Sequence, residues 1–312
     1  MPNGQETPRQ PVIFQQNVGR FSVGELVRST IDSFFLDKSR RLTKRHLADR
    51  RKQLVVFSFD WIATNINLSG VYELDQLSVF SRWIAPYRER LARAAAIDIG
   101  ANIGNHSLYF SDMFRKIYSF EPNKRTFKLL ELNAELAPNV ACFNVGISDK
   151  DCEALLNVDH ANAGGSAISA QATATTHAIS LRRLEPFIDP TDDIALIKID
   201  VEGHEFLALT GSAEVIRKHK PIILFEQHRD EFTGGSTKTI DLLREFGYAK
   251  FAVIDTEPKT PASLPRPLRV LWRMIARFLF GTTTRLIVKE RFEPGFYSFI
   301  IAIPDWVTLT AI

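Results

Sequence analysis

The stretch AAAIDIGANIG, Ala94 to Gly104, decides the fold. An apolar run (Ala94–Ile99) carries one acid, Asp98, near its end and gives way to a loop with Gly100 and Gly104, after which residues 105–114 have helical character. That order predicts a strand, a tight turn and a helix. The unit recurs outward from there. Further apolar runs at Ile117–Phe120, Val140–Val145, Ile194–Ile199 and Pro221–Phe225 alternate with helical stretches at 124–136, 205–219 and 237–246, the last stopped by Gly247. Alternation of this kind predicts βα units around a mainly parallel sheet. Two late runs, Phe251–Ile254 and Tyr297–Ile303, predict an antiparallel closing hairpin at a sheet edge. The Gly/Ala/Thr-rich connection 154–193, with Gly164, Gly165 and Ser166, predicts a loop over a site. Upstream, residues 1–20 read as a frayed start. Val23–Phe35 reads as a helix, Lys38–Lys52 as a basic run on a solvated helix face, Leu54–Phe59 as a strand and Tyr72–Ile84 as a helix.

Composition excludes several function classes. With 45% hydrophobic and 24% charged residues the 312-residue chain should fold. A net charge of +3 is too balanced for a surface built to neutralise nucleic acid, and the basic run lacks interleaved aromatics, so no nucleic-acid partner is expected. Cys142 and Cys152 make no disulfide framework and match no metal spacing, and no secretory signal is visible; a reducing, cytoplasmic setting is expected. Arg269, Arg273 and Arg277 interrupt the best apolar stretch below the ~18 residues a membrane span requires.

In an open parallel sheet, ligands bind beyond the carboxyl ends of the strands. Each run here is followed by an acid: Asp98, Glu121, Asp149, Asp200 with Glu202, and Glu226. The Gly100–Gly104 loop could cradle a dinucleotide pyrophosphate, but its spacing is not G-x-G-x-x-G, and Asp98 beside it would repel phosphate while favouring an ammonium group. The ligand expected is a nucleoside with an ammonium and no phosphate. S-adenosylmethionine fits, with a carboxylate near the first loop for the amine, Glu121 for the ribose hydroxyls and Asp149 for the adenine amine.

AIDIGANIGNHSLYF, YSFEPNKRTFKLLELN, NVGISDKD, LIKIDVEGHEFLALTGS and PIILFEQH resemble, in order and spacing, the FkbM family of S-adenosylmethionine-dependent methyltransferases, over roughly residues 94 to 255. The resemblance implies a class I methyltransferase (Rossmann-like) α/β fold: a seven-stranded, mostly parallel sheet with helices on both faces. Residues 1–93 would form an N-terminal α/β extension, and 94–312 the methyltransferase domain with a C-terminal helical insertion at about 256–296. It implies O-methylation of a hydroxyl on a sugar, glycan or other small-molecule natural product. By position, Asp98, Gly100, Asn102 and Gly104 would surround the methionine moiety, Glu121 the ribose, and Ser148 with Asp149 the adenine; Asn123 of the EPN element is counted with the cofactor-binding residues.

A sulfonium methyl is already activated, so the enzyme must chiefly align a nucleophile and exclude water, with proton removal helping a hydroxyl react. The base is expected among Asp200, Glu202, His204, Glu226 and His228, with His204 and Asp200 ahead of His228. The same groups could hold a divalent cation, but no recognised metal spacing is present, so no metal site is assigned. A nicotinamide-dependent oxidoreductase and a non-catalytic binding module with this fold are the rival readings; no G-x-S-x-G elbow supports a hydrolase. Across 268–280, Arg269, Arg273 and Arg277 form one stripe on an otherwise apolar helix. That stripe predicts peripheral membrane contact; a cover for the acceptor site, homo-oligomer packing and burial with snorkelling arginines are the alternatives.

Overall fold

The computed structural model describes residues 22–157, 167–169, 176–257 and 283–308, together with Pro265, Leu268, Arg269, Trp272, Ile275, Ala276 and Leu279. The chain divides into two units, Met1–Ala48 and Asp49–Ile312. The described residues of the first comprise one helix, α1 (Val23–Ala48), and the residue before it. Ser22 starts it: its Oγ accepts from the Glu25 N–H at 3.3 Å while the Glu25 carboxylate accepts from the Ser22 N–H at 2.6 Å, a reciprocal cap. With no Gly or Pro after Gly24 to stop it, the helix runs through the expected boundary at Phe35 and takes in the basic residues Lys38 to Arg45. None of its residues is buried.

The second unit is built on an eight-stranded sheet in the order β11-β10-β12-β9-β8-β1-β2-β3. Its strands are β1 (Ala95–Ile99), β2 (Lys116–Phe120), β3 (Val140–Phe143), β8 (Ile194–Ile199), β9 (Ile222–Gln227), β10 (Lys250–Glu257), β11 (Thr283–Lys289) and β12 (Tyr297–Ile303). The five strands from β9 to β3 pair in parallel; β12, β10 and β11 add on antiparallel. Each parallel strand is apolar on both faces because both are covered. Ile97 and Ile99 of β1 pack with Leu209 of α7 (Glu205–Thr210), Ile216 of α8 (Ala213–His219) and Ile240 of α9 (Lys238–Glu245). Ala96, one residue out of step, joins Leu77 and Phe80 of α3 (Leu74–Ile84) and Phe110 of α5 (Asn105–Phe110). The chain turns from β1 towards β2 and β3, then returns to β8 on the other side of β1. That reversal opens a crevice at the carboxyl ends of β1 and β8.

The differences from the sequence reading have local causes. The sheet has eight strands, not seven: β11 arises inside the stretch expected to be a helical insertion and takes the edge, leaving β12 internal between β9 and β10. Of that insertion, Leu268, Arg269, Trp272, Ile275, Ala276 and Leu279 are helical; Arg273 and Arg277 lie outside the described residues. The expected strand at Leu54–Phe59 is absent, since no strand lies beside it. The Asn133 side chain holds it instead, accepting from the Val55 N–H at 2.6 Å and donating to the Val55 carbonyl at 2.9 Å. The N-terminal extension is therefore helical, with α2 (Trp61–Ser69) unforeseen and capped by Asp60. Lys52, read as solvated, donates to the Leu108 carbonyl at 2.8 Å and to Ser111 Oγ at 2.9 Å. The helix expected at 205–219 breaks at Gly211, where a Cβ would lie 1.9 Å from the Ser148 carbonyl oxygen. Described residues of the connection 154–193 join residues just before it in a second sheet, β4-β7-β5-β6, from β4 (Gly146–Ile147), β5 (Cys152–Asn157), β6 (Ala167–Ser169) and β7 (Thr176–Arg182). Gly164, Gly165 and Ser166 lie outside the described residues. Among the described residues, no helix is long and apolar enough to cross a membrane.

Candidate active site

A cavity opens at the reversal point, lined by the loops after β1, β2, β8 and β9 and roofed by Leu156, Ile179 and Leu181 of the second sheet. The loop after β1 shapes its floor. Gly100 has φ +77°, and a Cβ there would stand 1.8 Å from the Asp200 carbonyl oxygen. The glycine lets two strand ends touch each other, not only a ligand. Gly100→Ala is therefore expected to cost about 1–3 kcal/mol, from overpacking and a strained backbone. Denaturant midpoints would check this; a variant as stable as the parent would refute the close approach.

Asp98 does not line the cavity. Its side chain is 0% exposed; Oδ2 accepts from Ser107 Oγ at 2.6 Å and Oδ1 lies 3.2 Å from Lys198 Nζ. Lys198, itself 2% exposed, also lies 3.3 Å from Asp200 Oδ2 and donates to the Gly100 carbonyl at 2.9 Å. Burial would lower its pKa, but Asp200 and Asp98 outweigh that and raise it. This lysine was missed in the sequence because it interrupts an apolar strand without altering its type. It neutralises part of the acid at the rim and ties β1 to β8.

Asn102, at φ 51°, donates its N–H to Glu121 Oε2 at 3.0 Å, and the Asn123 N–H reaches Glu121 Oε1 at 2.8 Å. Two backbone donors thus fix the Glu121 carboxylate in the cavity wall. Burial outweighs them and raises its pKa to about 7. Asn102 also lines the cavity, and its Oδ1 is shielded from solvent with no hydrogen-bond partner. Asn123 instead caps α6 (Lys124–Ala134), accepting from the Arg125 N–H at 3.0 Å. Gly104, at φ +90°, precedes α5.

The five catalytic candidates fall into two groups. His204 Nε2 is 3.0 Å from Ser148 Oγ, which donates to Asp149 Oδ1 at 3.1 Å, so His204 sits with the residues expected at the adenine. Burial lowers the His204 pKa, partly offset by Asp149. Asp200, Glu202 and Glu226 line the far wall, with His228 behind them, its Nε2 3.2 Å from Glu226 Oε2 and 3.6 Å from Glu202 Oε2. Burial, then Asp200, raises the Glu202 pKa. Burial and the crowding of Asp200, Glu202 and Glu205 push Glu226 up to about 9. Two further residues of this wall escaped the sequence reading. Glu73, at φ 58°, faces His106 Nε2 at 3.2 Å, and Asn105 pins the adjoining Tyr72 backbone by bonds of 2.9 and 3.1 Å. Their partners are about thirty residues apart in sequence, so no local spacing signals them.

The site is thus a shielded carboxylate-rich crevice at a strand-order reversal, with one buried lysine. Residues 98–250 match the family described as the Methyltransferase FkbM domain. The chain carries an FkbM methyltransferase domain. Its family is one of S-adenosylmethionine-dependent methyltransferases. The chain is similar to the hexuronic acid methyltransferase AglP of Haloferax volcanii, 30% identical over 130 residues, which are 41% of this chain and 53% of AglP. It is similar to the AMB antimetabolite synthetase AmbE of Pseudomonas aeruginosa, 28% identical over 200 residues, 50% of this chain and 9% of AmbE. The chain thus spans about half of one curated relative and a small part of the other. Among solved structures, the methyltransferase FkbM of Methylobacillus flagellatus KT aligns with a TM-score of 0.32 at 17% identity, covering 61% of this chain and 48% of that one.

Proposed function

We propose that this protein transfers the methyl group of S-adenosylmethionine to a hydroxyl oxygen of a sugar, glycan or similar small molecule. The observation that carries the reading is the Glu121 carboxylate, fixed by two backbone N–H groups beside the unpartnered Asn102 Oδ1. Both are acceptors, and they suit a ligand rich in hydroxyl and ammonium donors. S-adenosylmethionine supplies an electrophilic methyl on a sulfonium, which needs no further activation. Glu121 holds the ribose hydroxyls, while Asn102 and the Gly100–Gly104 backbone border the methionine part. Asp98 acts at one remove, through Lys198. To Ser148 and Asp149, steadied by His204, we assign the adenine.

The acceptor enters from the wall of Asp200, Glu202 and Glu226. Its oxygen lone pair forms the new C–O bond as the C–S bond breaks, the electron pair stays on sulfur as S-adenosylhomocysteine, and the hydroxyl proton passes to Asp200. Asp200 faces the cavity one strand from the Gly100 loop, and Lys198 fixes its carboxylate. AglP, named for a hexuronic acid, supports a sugar acceptor. Calorimetry with S-adenosylhomocysteine and NAD, followed by a mass-spectrometric screen of glycans and alcohols for gain of one methyl, tests the proposal. Binding of S-adenosylhomocysteine and not NAD is expected; the reverse would assign an oxidoreductase. Asp200→Asn should then lower turnover by about 10²-fold or more while binding S-adenosylhomocysteine as the parent does. Unchanged turnover would remove Asp200 from the proton's path.

A further inference from the structure

The acceptor wall holds more than proton chemistry requires. Glu202, Glu226 and His228 each offer one ligand atom, and the three atoms lie within 4.8 Å of one another. Glu226 Oε2 and His228 Nε2 are both shielded from solvent and lie 3.2 Å apart, with Glu202 Oε2 3.6 Å from the same ring nitrogen, and neither Glu226 Oε2 nor His228 Nε2 makes a well-aligned hydrogen bond. Two carboxylates and an imidazole at that spacing could close on one ion as readily as on each other. Asp200 and Glu205 add negative charge around them.

We infer that this cluster is a divalent-cation site of the Mn²⁺ class, open on the cavity side. The donor set favours a first-row ion over Mg²⁺ or Ca²⁺, which prefer all-oxygen shells, and over thiophilic sites. Three protein ligands leave positions free, as in catalytic metal centres. Glu202 and Glu226 line the cavity, so the free positions face the acceptor. The support behind the ligands is already built. Glu231 accepts the His228 backbone N–H at 2.6 Å and the Gln227 side-chain N–H at 3.0 Å through the same oxygen, Oε2. The Glu231 N–H is shared between the His228 ring and the His228 carbonyl, at 3.2 Å from the latter. When Nε2 ligates and the ring proton moves to Nδ1, that N–H keeps the carbonyl and no backbone donor is stranded. The site's use, though not its existence, rests on the methyltransferase reading: a cation there would take the acceptor hydroxyl as a ligand and lower its pKa before the proton leaves. Glu226 and His228 are two residues apart, with Glu202 supplied by the neighbouring strand end, a pattern that sequence spacing alone does not reveal.

The test uses the full chain, without methyl donor, and Mn²⁺ alone. Electron paramagnetic resonance should show one Mn²⁺ bound per chain, with an electron spin-echo modulation from an imidazole nitrogen. Glu226→Gln and Glu202→Gln should each weaken binding by about tenfold or more, and His228→Ala should remove the nitrogen signal. Thermal midpoints of the variants confirm that they are folded; if one unfolds, the remaining two decide. Absence of stoichiometric Mn²⁺ binding by the parent, or equal binding by folded variants, would overturn the site. S-adenosylhomocysteine binding by the parent is measured separately: its failure would sink the methyltransferase reading and leave a positive Mn²⁺ result standing.

Discussion

Replacing Lys198 with Met should destabilise the protein by about 3–5 kcal/mol, the cost of stranding a buried charge. The lysine is 2% exposed and the Asp98 side chain 0%, so water cannot screen what remains. Removing the ammonium leaves Asp98 with only the Ser107 hydroxyl, frees the Gly100 carbonyl of its donor, and sets Asp200 against Asp98 with nothing between them. The loss should be recovered in large part by adding Asp98→Asn, because the amide removes the stranded charge. That non-additivity identifies the mechanism as electrostatic and not as lost packing. Urea midpoints of the parent, both single variants and the double variant give the cycle. A Lys198→Met protein within about 1 kcal/mol of the parent would show that the ion pair contributes little.

Substituting Glu121 with Ala should weaken S-adenosylhomocysteine binding by about 100-fold, since the carboxylate is placed for the ribose hydroxyls and its loss also leaves the Asn102 and Asn123 N–H groups unpaired. The pH dependence gives a sharper signature. Burial raises the Glu121 pKa from 4.5 to about 7. In the free protein, the folded state therefore holds this proton more tightly than the unfolded chain does. Its contribution to stability is fully present below the unfolded pKa and fades as pH rises from about 4.5 through 7. The ligand's hydroxyls are donors and select the carboxylate, so binding must expel the proton. Affinity should rise about tenfold between pH 6 and pH 8 and level off above, as the ionised fraction does. Calorimetric titrations across that range, parent against Glu121→Ala, decide it: the parent should show the rise and the variant none. A flat parent profile would mean that Glu121 keeps one protonation state throughout.

Much of the central sheet was legible because most residues of the parallel strands are buried on both faces, so each strand reads as a mainly apolar run with at most a few polar residues in it. The runs at Ala94–Ile99, Ile117–Phe120 and Ile194–Ile199 differ from the observed strands by a residue at most. What escaped depends on partners far along the chain. Leu54–Phe59 has strand composition, but its backbone meets the Asn133 side chain and not a strand. Thr283–Lys289 follows an apolar stretch rich in Phe and Leu, which masked its own alternation. For the site, acids at strand ends were readable as a set because topology delivers strand ends to one rim. Their individual environments were not. Asp98 and Glu121 look alike in sequence, yet one is sealed beneath Lys198 and the other faces the cavity, and only packing makes that distinction.

The position of β12 sets an order of assembly. β10 and β11 hydrogen-bond to each other and join the ladder of the parallel strands through β12, so the sheet becomes continuous only when residues 297–303 take their place between β9 and β10. Until then β9 presents a bare, hydrophobic edge of Ile222 to Phe225, the kind of template on which strands from neighbouring chains pair. A ribosome pausing ahead of β12 would therefore expose this protein to aggregation more than a pause anywhere else downstream of β9.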